Sequence, residues 1–131
     1  MFLKYALSII FLLSFFSCSN KTSLKDEMVL KTLPSSITSS QEISNDLAGY
    51  ASSIKQIDYD KTLSRFESNA EKDEFKKQML DLRDDYNKCV DKLKEVEHAN
   101  EKDKIKKMTE LRDLKDELDT VWKYVIKNYR I

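Results

Sequence analysis

Seven apolar residues, Phe75, Met79, Leu82, Tyr86, Cys89, Leu93 and Val96, recur at alternating steps of four and three. That spacing is the seam of a helix packed lengthwise against another helix; a strand would alternate its side chains with period two. The positions between are nearly all charged or polar. Composition points the same way, because 35% charged residues with one Gly and one Pro favour long solvated helices over sheets and turns.

After Val96 the register fails at Asn100 and Asp103, then resumes at Ile105, Met108, Leu111, Leu114, Leu118, Val121 and Val125. Two architectures accommodate the break. In one, His98-Ala99-Asn100 is a tight turn, Asn100 caps a new helix, and two long helices form a hairpin. In the other, the helix runs straight through with a four-residue stutter and reaches roughly 90 Å. The last helix favours the hairpin. Beside its seam it carries Trp122, Ile126 and Tyr129, an apolar face wider than a two-stranded coil can cover.

The second neighbour is the segment from about Ser40 to Ile57, where Ile43, Leu47, Tyr50, Ala51, Ile54 and Ile57 fall on one helical face. Ser39 and Glu42 have capping-box spacing at its start, and Gly49 weakens it by about 1 kcal/mol relative to Ala. Asp58-Tyr59-Asp60 interrupts the face. A short helix follows through Leu63 and Phe66, and Ser68 with Glu71 offers a second capping box. The expected fold is therefore all-α: an antiparallel three-helix bundle over residues 40–131, built on a long heptad-patterned hairpin. Leu82, Tyr86, Leu93, Leu114, Leu118 and Val125 should be buried. Asp84 and Lys88, four apart, should pair on the surface.

Residues 18–39 are expected to be a flexible tether, with one weak helical turn or two marked by Leu24, Met28 and Leu33. Pro34 ends that pattern, and a serine-rich link follows. Ahead of it, Lys4 is followed by an almost wholly apolar run from Tyr5 to Phe16, then Ser17 and Cys18, after which the chain turns polar at once. Residues 1–17 thus have the layout of a secretory signal, too short for an ordinary membrane span. With Cys18 at its end, this segment resembles the bacterial lipoprotein signal, in which the cysteine becomes an acylated N-terminus. Phe15, Phe16 and Ser17 precede it where that signal usually has Leu and two small residues, a looser pattern similar to spirochaete, Borrelia-type lipoproteins. The Lys- and Asp-rich, Gly-poor body is similar in composition to their helical surface proteins. A plain secretory signal or an uncleaved anchor is the other reading of the same residues.

Chemistry is sparse. Lys and Arg together number 23, as do Asp and Glu, so the overall balance makes no electrostatic case for nucleic acid. The single histidine, His98, falls in the presumed turn with no nucleophile beside it. Cys89 sits on the seam, where it reads as a small buried hydrophobe; the alternative is a disulfide between two copies. The carboxylates Asp81, Asp84, Asp85, Asp91, Glu95 and Glu97 are spaced as an outward, lysine-interleaved face rather than a catalytic pair. No spacing suits zinc or an EF-hand, and one glycine cannot build a phosphate loop. No enzyme activity, metal or cofactor is expected. The basic stretch from Lys102 to Lys107, with Lys104 and Lys107, and the aromatic Tyr124 are the candidate contact residues.

Two functions follow. The lipoprotein resemblance implies a lipid-anchored protein of the outer membrane or cell surface, held to the bilayer through Cys18, that binds a host protein such as a complement regulator or matrix component. The alternative is an envelope spacer forming a coiled-coil oligomer. Cys18-Ser19 and the closing Asn128-Tyr129-Arg130-Ile131 are faintly similar to the ends of the murein lipoprotein, but Ile131 stands where that family attaches through Lys.

Overall fold

The computed structural model describes residues 23–34 and 40–131; Cys18 and the signal segment lie outside them. Within the described residues the chain is all-helical. A single turn α1 (Leu24–Glu27) precedes α2 (Gln41–Lys55), the short α3 (Tyr59–Ser64) and the long pair α4 (Asn69–His98) and α5 (Glu101–Tyr129). The bundle is the expected one: α4 and α5 form the antiparallel hairpin and α2 is the third long helix against them.

The hairpin turn explains how the chain reverses without glycine or proline. Ala99 (φ −74°, ψ 147°) and Asn100 (φ −72°, ψ 166°) are both extended, a region open to any L-residue, so no left-handed position is needed. The Asn100 side chain then accepts from the Asp103 N–H at 3.0 Å and starts α5. Below the turn, Lys92 lies 2.7 Å from Glu95 and 2.8 Å from Glu110, which ties α4 to α5.

Every seam residue of α4 is buried: Phe75, Met79, Leu82, Cys89, Leu93 and Val96 are fully covered and Tyr86 is 1% exposed. Val90, off the seam, is fully buried too, because α4 is covered on more than one side. On α5, Leu111, Leu118 and Val125 are buried as the spacing requires, while Leu114 is only half-buried against the core. Leu114 thus falls short of its expected burial, and two further expectations fail on this helix. Ile105 is 78% exposed and Ile126 41%. Ile105 sits on an open surface shared with Glu101, Lys104, Met108, Thr109 and Arg112, all of α5 itself, and of the adjoining stripe only Trp122 and Tyr129 pack against the core. Tyr129 packs edge-on against Phe75 and Phe66, with ring centroids 5.0 Å and 5.9 Å away.

The caps differ in detail from the sequence expectation. Ser68 accepts from Glu71 N–H at 3.1 Å, as its spacing implies. At the start of α2 the N-cap is Ser40, one residue later than the Ser39–Glu42 box requires, so Glu42 is not at the third helical position. The Ser40 hydroxyl donates to Glu97 at 3.1 Å instead, a contact between helices. Tyr59, within the interruption, is buried and donates its hydroxyl to the Ile54 carbonyl at 2.9 Å, which closes the α2–α3 corner. At the far end Arg65 donates to the carbonyls of Tyr129 and Arg130, each at 3.3 Å, and satisfies the last turn of α5. Asp84 pairs with Arg83 at 2.9 Å rather than with Lys88.

Residues 23–34, expected within the tether, lie against the bundle. Leu24 is buried, and Met28, Leu30 and Leu33 pack on the core. The reason is that α2 leaves one flank of α4 uncovered, and these four apolar side chains cover it.

Candidate functional site

Among the described residues an open groove of about 490 Å³ lies between α2 and α5, lined by Asp46, Gly49, Tyr50, Lys115, Asp119 and Trp122, among others. The two helices run parallel here, so residues a turn apart on α2 meet residues a turn apart on α5. Lys115 Nζ stands 3.1 Å from Asp46 and 3.5 Å from Asp119. The hydrogen bond to Asp46 raises the Lys115 ammonium above its ordinary value; burial opposes it, and the Asp119 and Asp46 charges add to the rise. Asp119 also accepts from the Tyr50 hydroxyl. The Tyr50 ring meets Trp122 edge-on, centroids 5.9 Å apart at 81°.

Burial, and next the bond to Asp119, push the Tyr50 phenol well above the ordinary range, so it is a fixed donor rather than an acid at physiological pH. Asp46, Lys115, Asp119 and Tyr50 thus satisfy one another. What the groove offers a partner is a preorganised polar floor, the Trp122 ring, and open space over Gly49, where a Cβ would meet nothing within 4 Å.

The residues singled out in the sequence are not gathered in one place. Lys104 and Lys107 are half-buried near the hairpin turn, and Lys107 lies 4.0 Å from Glu95. Tyr124 is 47% exposed and lies 17 residues further along α5, about 25 Å away. Its ring neighbours Tyr129, centroids 6.5 Å apart. The three therefore cannot act as one small site, because they sit at opposite ends of one helix.

Cys89 is fully buried with a free thiol. Burial first, then the carboxylates of Asp85 and Asp119, push that thiol up to about 12, which makes it an inert core residue. A disulfide to a second copy would require opening the bundle. His98 ends α4, exposed. Among the described residues no cluster of His, Cys, Asp or Glu could hold a metal ion, and no helix is long and apolar enough to cross a membrane.

Sequence reasoning missed the groove because its members lie on different helices, 69 residues apart, and none breaks a local pattern except Gly49. It also missed Asn87, an uncharged amide on an otherwise charged face of α4; its amide holds the N-terminal segment (below).

Comparison of the chain with protein-family models, with curated proteins and with solved structures finds no match.

Proposed function

We propose that this chain is a lipid-anchored surface lipoprotein whose helical bundle works by binding a protein partner rather than by chemical turnover. Cys18 would be the acylated N-terminus and the bilayer its first partner. The lipoprotein-like layout of residues 1–18 carries this reading, and its resemblance to Borrelia-type proteins points to the outer membrane or cell surface and to a host protein, such as a complement regulator or matrix component.

The rigid bundle supports a binding module over an oligomeric spacer. A coiled-coil spacer needs an unspent seam, and here Leu82, Leu93 and Leu118 are fully buried within one chain. The contact surfaces would be the groove at Trp122 and the exposed stretches around Lys104, Lys107 and Tyr124.

Mass spectrometry of the mature protein should find a diacylated or triacylated Cys18, and Cys18→Ala should release the protein from the membrane. An unmodified N-terminus elsewhere refutes the anchor. Lipid-free protein should then retain a partner from serum or from envelope extract, more weakly as salt rises if exposed charges contribute. Folded protein that retains nothing from either source argues against a binding module.

A further inference from the structure

We propose that the docked N-terminal segment orients the bundle at the bilayer, with the α3 end toward the lipid and the α4–α5 turn outermost. This rests on the anchoring of Cys18 put forward above.

Residues 23–34 are fastened to α4 by directional contacts as well as apolar ones. Arg83 donates to the Glu27 carbonyl at 2.8 Å. The Asn87 side chain accepts the Lys31 N–H at 2.8 Å and donates to the Val29 carbonyl at 3.1 Å. An amide that both accepts from and donates to one extended segment fixes its register, because a slide of one residue breaks both bonds. Lys31 Nζ then pairs with Asp91 at 2.7 Å. As the chain advances from Glu27 to Lys31, its partners climb from Arg83 to Asp91. The segment therefore starts low and rises toward the hairpin turn. Its start is fixed independently, since Lys25 and Met28 share a cleft with Ile54, Lys55 and Tyr59, where α2 ends and α3 begins.

Reach does the rest. Five residue steps separate Cys18 from Ser23, a span of at most about 18 Å when fully extended. From Arg83, already above that start, α4 runs 15 residues more to His98, about 22 Å. An acyl anchor on Cys18 can therefore reach the α3 end but not the turn. Had the leash extended to residue 39, its reach of about 75 Å would impose no orientation. Lys104 and Lys107 accordingly face outward, far from the lipid, and Tyr124 lies in the membrane-proximal half.

Energy transfer to a headgroup-attached acceptor tests this with the acylated full chain in phosphatidylcholine vesicles. A donor dye is placed on α3 by Lys61→Cys or beside the turn by Lys102→Cys; both native side chains are exposed. The buried thiol of Cys89, pushed up to about 12, stays unlabelled at neutral pH. Transfer should be several-fold stronger from position 61. The double substitution Lys31→Ala with Asn87→Ala should speed hydrogen exchange at the residue-31 amide, keep the helical circular dichroism, and bring the two signals together. Equal transfer from both positions, with Cys18 shown to be acylated, overturns the orientation and leaves the anchor standing. A contrast that survives release of the segment also overturns it. A Cys18 found unacylated removes both readings at once.

Discussion

The Tyr50 hydroxyl donates to the Asp119 carboxylate and joins α2 to α5 across their shared groove. Lys115, within 3.5 Å of the same carboxylate, completes the contact. A hydrogen bond to a charged acceptor contributes more than a neutral one, and this one is only partly shielded from water. Tyr50→Phe should destabilise the bundle by about 1–2 kcal/mol, measured by urea unfolding. An unchanged unfolding midpoint would mean that the contact carries no stability.

Stability should decline in alkali. Burial raises the Tyr59 phenol from 10.0 to about 12, and burial with the nearby carboxylates raises the Cys89 thiol from 9.0 to about 12. Between those limits the unfolded chain has released protons that the folded chain still holds, so unfolding is favoured as pH rises. The contribution is complete below about pH 9 and is lost progressively toward pH 12. Melting temperature followed from pH 7 to 11 should show this fall, and Cys89→Ala should make its onset shallower.

The seam and the exposed position beside it should respond very differently to truncation. Leu93→Ala and Leu118→Ala, at fully buried sites, should each cost roughly 2–5 kcal/mol. Ile105→Ala, at a side chain 78% exposed, should stay within about 0.5 kcal/mol. Equal losses at all three would show that Ile105 is covered in solution by another chain.

Gly49 lies inside α2 with space around it. Its backbone is helical, so alanine fits without strain and lowers the entropy of the unfolded chain. Gly49→Ala should stabilise the protein by about 0.5–1 kcal/mol in the same unfolding assay. If the open floor over Gly49 serves a partner, that gain in stability will come with weaker binding.

The sequence by itself determined the long helices and the inward face of α4. Phe75 through Val96 announced their burial because a 4-3 spacing leaves a helix one way to hide its apolar side chains, and Asn100 marked the turn because its side chain serves as a helix cap. What only the tertiary structure decided were relations between distant segments. Ile105 carries the right spacing but is 78% exposed among residues of its own helix, so periodicity alone could not tell that it is bare. Residues 23–34 lack a strong helical pattern and read as linker, yet Asn87, Arg83 and Asp91 on α4 hold them. The groove at Tyr50, Asp119 and Trp122 likewise depends on the parallel register of α2 and α5. Local spacing encodes which face of a helix is apolar; which neighbour covers that face, and how far along, is set by the lengths of the elements and the three-dimensional path between them.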